Sequence, residues 1–419
     1  MKVSVLTLGC KVNKYESDSI IFELKKRGHE ASDSLEWADV YIINTCAVTN
    51  EAEKKSRQMI ERARKFNPNA KICVMGCASQ NRPEQFADRN VDIIIGTANK
   101  LKIVDMLEGK DASQFELPKQ YEDNLFSEQT LSRAYLKIQD GCNNFCTYCI
   151  IPYVRGRSRS RELSSIVDEV ARLPENVKEV VLVGIDVADY KVGQEKALGT
   201  LLKRLDVFGK RLRLSSMEDH LIDEDFMKEL SSLKNFCPHF HLSLQSGCDE
   251  VLKKMNRKYT TAEFAESVEL IRKYFPLAGI TTDIIVGFPT ETEENFETTL
   301  NFVKQVKFSQ LHIFPYSKRD GTAAAKLYKD LPGDVKANRL KRLEEVGAEL
   351  KQQFILSNKT GEVLIEEKSG EYFEGYTKNY IKCYIKAENL KVGDIVKVKI
   401  EKPFKDGAMA SLEEILING

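Results

Sequence analysis

Three cysteines stand in one short loop, Gly141-Cys142-Asn143-Asn144-Phe145-Cys146-Thr147-Tyr148-Cys149, directly after the apolar run Ala134–Ile138. Thiolates are soft ligands suited to iron–sulfur clusters. At a C-x3-C-x2-C spacing they can hold three irons of a [4Fe–4S] cube, leaving the fourth iron open to a substrate. A structural zinc site normally takes four protein ligands, and no further Cys or His follows nearby. Zinc or chance is the alternative reading.

Cys10, Cys46 and Cys77 form a subtler pattern. Each lies just past an apolar run: Leu8-Gly9 before Cys10, Ile43-Asn44-Thr45 before Cys46, Val74-Met75-Gly76 before Cys77. Their separations are 36 and 31 residues, one strand–helix unit each. Loops after neighbouring strands of an open parallel sheet converge at its carboxyl edge, so the three can meet there. Buried unliganded cysteines are also common, and spacing alone leaves both readings open. Cys73 falls inside a strand and reads as core.

The elements that must position these loops follow from periodicity. In the first hundred residues the runs Lys2–Leu8, Asp39–Asn44, Lys71–Met75 and Val91–Ile95 alternate with the helical stretches Tyr15–Arg27 and Asn50–Phe66, which argues for a parallel α/β sheet. Six further runs begin at Ala134, Glu179, Arg211, His239, Gly279 and Gln310, with helical patterns between them. They predict a full or partial (β/α) barrel, which works at the carboxyl ends of its strands. Short runs with Gly, Asn or Pro between them fill the last sixty residues and predict a small antiparallel β-barrel. The expected organisation is an α/β domain over 1–110, a polar linker over 111–130, a barrel over 131–355 and the small barrel over 356–419.

Composition bounds the function. Of 419 residues, 42% are hydrophobic and 30% charged, a folded rather than disordered balance. No run reaches the roughly 20 apolar residues that span a bilayer, and the first residues do not read as a signal peptide; a cytoplasmic protein is expected, without a membrane partner. Basic and acidic residues number 63 each, which counts against a nucleic-acid partner unless a local basic face exists.

Gly184, Ser216 (within Ser215-Ser216-Met217-Glu218), Gln245 and Gly287-Phe288-Pro289 follow predicted barrel strands, where cofactor contacts belong and where simple turn chemistry is the alternative. Arg155, Arg157, Arg159 and Arg161 lie just behind the cysteine loop, placed for phosphate or carboxylate contact; a solvated loop is the alternative. Tyr372, Phe373, Tyr376, Tyr380, Tyr384 and Phe404 offer rings for base stacking, while some of them belong to the core. The histidines lack ligand spacing and read as surface or core groups.

The Cys142–Cys149 loop resembles the radical S-adenosylmethionine (SAM) superfamily. Thr7-Leu8-Gly9-Cys10-Lys11-Val12-Asn13, Asn44-Thr45-Cys46-Ala47-Val48, Gly76-Cys77-Ala78, Ile151-Pro152-Tyr153 and Arg155–Arg161 are similar to its methylthiotransferase family over essentially the whole chain. The resemblance implies a radical SAM partial (β/α)6 TIM barrel and a C-terminal TRAM (OB-like) domain that binds RNA. It implies two [4Fe–4S] clusters and SAM as cofactors. Cys142, Cys146 and Cys149 would ligate the catalytic cluster, whose open iron chelates SAM; Cys10, Cys46 and Cys77 would hold the second, which carries the sulfur. Tyr148 matches the aromatic that the family places near the adenine; Gly184, Ser216, Gln245 and Arg155 are expected as cofactor contacts from their positions alone. A deoxyadenosyl radical would take hydrogen from C2 of adenosine, where methylthio sulfur then attaches.

Gly9-Cys10-Lys11-Val12-Asn13 with Tyr15-Glu16-Ser17 is most similar to the branch acting on N6-threonylcarbamoyladenosine at position 37 of tRNA. Implied partners are the tRNA anticodon loop, an electron-donor protein and a sulfur donor. Other readings are the branches acting on isopentenyladenosine or on a ribosomal-protein aspartate, and a non-catalytic iron–sulfur RNA-binding protein. Thr290, Lys14 and Asp186-Val187-Ala188 depart from the family pattern.

Overall fold

The computed structural model describes residues 1–110, 115–123, 126–127 and 131–419. The apolar runs of the first hundred residues become one parallel sheet. Its strand order is Glu30–Ser32, Lys2–Thr7, Val40–Thr45, Lys71–Gly76, Ile93–Ile94. Val40–Thr45 is buried at every residue, as a central strand covered on both faces must be. The edge strand Glu30–Ser32 is absent from the sequence reading, because three mostly polar residues make no recognisable run. Helix Asn50–Phe66 begins where predicted, with Thr49 accepting the N–H of Ala52 at its N-terminus.

Six parallel strands build the second unit: Arg133–Lys137, Glu179–Val183, Arg211–Leu214, His239–Gln245, Gly279–Val286 and Gln310–Pro315. They pair in sequence order, but the wall is broken at its third strand. Arg211–Leu214 pairs with Glu179–Leu182, whereas Ser216–Met217 pairs with His241–Leu242. Ser215 stands at the break. Among the described residues no pairing joins the first strand to the sixth, so the barrel is partial. Helix Lys11–Lys26 covers part of it: Val12 packs with Val181, Val183, Tyr135 and Ile185.

Helix Gly333–Ser357 leads to a closed five-stranded barrel. The expectation of an antiparallel barrel needs one correction. Lys382–Ile385 runs parallel to Gly407–Ile417, while the other pairs are antiparallel. An odd number of strands cannot alternate direction all the way round a closed ring. This barrel is docked under the partial barrel. Arg213 donates to the carbonyls of Thr377 and Lys378 at 3.1 and 2.9 Å, and Tyr380 stacks on His239 at 4.2 Å.

The expected linker lies partly outside the described residues; its described parts are tied down. Tyr121 donates to the Lys137 carbonyl at 2.8 Å, and Asp123 accepts from Arg161 and Ser165.

Candidate active site

The C-x3-C-x2-C loop leaves the first barrel strand through Gly141, at φ +73°, where a side chain would run into the Arg157 backbone. Cys142 N–H donates to Gly156 O at 3.1 Å and Cys149 N–H to Cys146 O at 3.0 Å, so backbone bonds fold the loop on itself. Burial pushes the Cys142 and Cys149 thiols up to about 12, and each is raised further by the neighbouring Cys146. Buried thiols that resist ionisation, as Cys142 and Cys149 do, need a metal to hold them as thiolates. Arg257 supplies a positive neighbour: it donates to Cys146 Sγ at 3.3 Å and to Ser243 O at 2.8 Å, and pairs with Glu218.

A recess of about 370 Å³ opens beside Cys146, lined among others by Asn144, Glu218, Asp219, Arg257 and Tyr259. Asp186 accepts the N–H of Glu218 at 3.2 Å and so links the ends of the second and third strands. Burial pushes Asp186 and Asp219 up to about 6.

None of the four other expected contacts, Gly184, Ser216, Gln245 and Tyr148, lines that recess. Gly184 ends the second strand against Gln139, which accepts the N–H groups of Ile185 and Asp186 at 2.9 and 3.0 Å. A Cβ there would lie 2.8 Å from Gln139 Oε1. Ser216 pairs with His241 beyond the strand break. Gln245 ends the fourth strand at φ +68°. Tyr148 packs on the apolar group of Met255, Phe288 and Tyr316.

The N-terminal cysteines converge. Cys46 and Cys77 are buried and Cys10 is exposed. Gly9 stands at φ +97°, and a Cβ on it would meet Cys46 Cβ at 2.7 Å and Sγ at 2.8 Å, so the first two loops touch. Asn13 donates to Leu8 O and Thr45 O at 2.8 and 3.1 Å, tying them together. Thr45 Oγ1 accepts the N–H groups of Ala78 and Ser79 at 3.2 and 3.3 Å, tying the second loop to the third. Burial pushes the Cys46 thiol up to about 12, with Cys77 and Cys10 adding to it. Among the described residues no three such groups close on a single point as one metal ion requires. A cubane binds its thiolates through three separate irons and asks for no such single point, and the donor set of each triad, three cysteines, is the chemistry it takes.

Arg155 is a correction. The sequence places it at a SAM or substrate carboxylate, but it is only 1% exposed and already saturated. It donates through Nε to Cys77 Sγ at 3.2 Å, through Nη2 to Asn13 Oδ1 at 2.6 Å, and through Nη1 to Glu16 and Asp140 at 3.0 Å each. Its helix, Ile151–Arg155, starts two residues after Cys149 and packs on the Cys77 helix. Glu16 also pairs with Lys100 and Lys137. Burial would raise the pKa of Glu16, yet these cations outweigh it and hold the carboxyl well below its usual range. Arg161 is likewise buried against Glu169 and Asp123, and Arg159 bonds backbone carbonyls. Only Arg157 of the four is exposed; it lies over the Phe145 ring at 4.3 Å.

The sequence reading missed Arg257, because the run Lys253-Lys254-Met255-Asn256-Arg257-Lys258 looks like a solvated basic turn. It also missed the barrel-strand group in which His241 contacts Asp283 at 3.1 Å and Thr281 at 2.9 Å. Charged or polar residues inside otherwise apolar runs were the available signal. In the C-terminal barrel some of the six rings are core or packed, as expected. Phe373 is core, and Tyr376 and Tyr380 stack on each other at its junction with the partial barrel. Tyr372, Tyr384 and Phe404 form the remaining aromatic group, beneath Lys386 and Lys405.

Comparison with known proteins agrees with this geometry. Residues 136–303 match the radical SAM superfamily and residues 2–96 match an uncharacterized protein family, UPF0004. A threonylcarbamoyladenosine tRNA methylthiotransferase of Bacillus subtilis, MtaB, is 40% identical, over 98% of this chain and 97% of its own. Its Aquifex aeolicus namesake is 39% identical over 96% and 100%. A tRNA-2-methylthio-N(6)-dimethylallyladenosine synthase of Desulfitobacterium hafniense is 36% identical over 96% and 95%. Among solved structures, the radical SAM methyltransferase TsrM of Kitasatospora setae shares the fold, with a TM-score of 0.56 at 14% identity over 77% of each chain. Two cysteine triads meeting through one short helix, in a chain matched nearly end to end by these relatives, belong to a radical SAM tRNA methylthiotransferase: that is this chain's family.

Proposed function

We propose that the chain methylthiolates C2 of N6-threonylcarbamoyladenosine at position 37 of tRNA. The observation that carries this is the pair of cysteine triads, Cys142–Cys146–Cys149 and Cys10–Cys46–Cys77, joined by helix Ile151–Arg155. The first triad would hold the SAM-binding [4Fe–4S] cluster and the second a [4Fe–4S] cluster for sulfur. When bound, these groups and SAM supply the electron, the hydrogen-abstracting radical, the sulfur and the methyl group; the protein positions them.

The chain's own residues do the rest. Arg257 and Glu218 line the recess beside Cys146 and are placed to orient SAM. Tyr148, Gly184, Ser216 and Gln245 would serve as further cofactor contacts. Arg157 remains available for the substrate carboxylate, because Arg155 is not. A site that pairs with that carboxylate rejects an apolar isopentenyl chain, which would cover the cation without pairing it. Tyr372 and Phe404, under Lys386 and Lys405, offer the local basic and aromatic face that a chain of zero net charge needs to grip RNA. The reading places the protein in the cytoplasm, with an electron-donor protein and a sulfur donor as partners. It divides the chain at 110, 130 and 355. Among the described residues no helix is long and apolar enough to cross a membrane.

The test is mass spectrometry of tRNA nucleosides from cells lacking each precursor pathway, with this protein supplied. The methylthio product should require threonylcarbamoylation. A product that persists without it, and vanishes without isopentenylation, would overturn the substrate. Replacing Cys10, Cys46 or Cys77 by Ala should stop methylthiolation but leave reductive SAM cleavage; replacing Cys142 should stop both.

A further inference from the structure

We propose that Arg155 is a positioning residue for the Cys10–Cys46–Cys77 site, setting the reduction potential of the cluster held there through its hydrogen bond to Cys77. The proposal rests on the reading that this triad binds a [4Fe–4S] cluster.

The geometry separates Arg155 from an ordinary buried ion pair. Glu16 and Asp140 satisfy one guanidinium nitrogen, Nη1, at 3.0 Å each. Asn13 takes Nη2 at 2.6 Å, and Asn13 is the residue that ties the Cys10 and Cys46 loops together. Nε is thereby aimed at Cys77 Sγ, 3.2 Å away. A planar guanidinium held at two nitrogens cannot swing its third. The orientation at the sulfur is therefore imposed by the rest of the network.

The charge balance points the same way. Arg155, Lys100 and Lys137 face Glu16 and Asp140, and Arg159 stands 3.6 Å from Asp140. This is an excess of positive charge in a fully buried place beside one thiolate. Hydrogen bonds to cluster sulfurs and nearby net charge are two of the levers that set iron–sulfur potentials. Both act here to favour the reduced, more negative cluster. Arg155 also follows Cys149 by six residues, so the side chain that tunes one cluster is carried on the loop that would bind the other.

The experiment uses the full chain carrying Cys142→Ala, Cys146→Ala and Cys149→Ala, reconstituted without oxygen, so that only the N-terminal cluster is present. Arg155→Lys keeps the charge but loses the fixed fork. Redox titration followed by electron paramagnetic resonance should show a lower midpoint. The expected size is about a tenfold fall in the reduced-to-oxidised ratio at fixed poise, or about 59 mV for one electron. With 15N-arginine, pulsed resonance of the reduced cluster in the Arg155 chain should show coupling to one guanidinium nitrogen. An unchanged midpoint in an iron-loaded Arg155→Lys chain, or no 15N coupling, would overturn the proposal. If the Lys variant takes up no iron, the 15N measurement decides. A triple-Ala chain that binds no iron with Arg155 intact would instead overturn the cluster reading itself.

Discussion

Gly9→Ala against Gly28→Ala isolates what the first cysteine loop demands of its backbone. Both glycines have positive φ, +97° and +84°. Gly28 has nothing within 4 Å of where a Cβ would stand, whereas at Gly9 the Cβ would lie 2.7 Å from Cys46 Cβ and 2.8 Å from its Sγ. A left-handed conformation costs an L-residue about 1–2 kcal/mol, so Gly28→Ala should lose about that much stability and nothing else. At Gly9 the same strain is joined by a contact that real Cβ atoms do not tolerate, and the atom that must move is a site cysteine. Overpacking of this kind adds about 1–3 kcal/mol, giving about 2–5 kcal/mol in all unless Cys46 is displaced. Either way the N-terminal triad is deformed. Urea denaturation and iron analysis after anaerobic reconstitution read the two effects separately. Gly28→Ala should keep about eight irons, four per cluster; Gly9→Ala should keep about four, cleave SAM, and form no methylthio product. A Gly9→Ala chain with full iron and full product would refute the claim that these loops must touch.

Three further outcomes follow from the same geometry. Arg157→Ala should raise KM for threonylcarbamoylated tRNA while SAM cleavage without tRNA stays as it was, since Arg157 is exposed and its guanidinium lies over the Phe145 ring; an unchanged KM removes it from substrate recognition. Lys386→Ala with Lys405→Ala should weaken tRNA binding and reduce the slope of log affinity against log salt by about one per lysine if each meets a phosphate; an unchanged slope moves the RNA face elsewhere. Asp186→Asn concerns pH: burial raises the Asp186 carboxyl from 3.8 to about 6, so ionising it opposes folding. In the metal-free chain the Asn variant should be the more stable above pH 6, by at most about 3 kcal/mol at 1.36 kcal/mol per unit. That advantage should shrink as pH falls from 6 toward 3.8, and be lost below 3.8, where the Asp is protonated in both states. A urea midpoint that does not differ between the two chains at pH 8 would show that Asp186 is not destabilised by its burial.

The local patterns were legible because they are short. The C-x3-C-x2-C loop lies within eight residues, and its strand and helix neighbours declare themselves through periods of 2 and 3.6. Strands such as Glu179–Val183 and Gly279–Val286, and helix Asn50–Phe66, stand where periodicity places them. The position of Cys10, Cys46 and Cys77 one unit apart after successive strands was also visible, though not whether they meet. That was decided by the sheet, which sets the strand of Cys46 between those of Cys10 and Cys77. The arginines show the limit most clearly. Four alternating residues, 155 to 161, look alike in sequence, yet 155 grips a cysteine 78 positions away, 161 is buried on Glu169, and 157 faces solvent. Which partner a charge finds depends on segments brought together only by the folded chain. Burial then makes the choice binding, because an unpaired charge in that interior would cost far more than a solvated one.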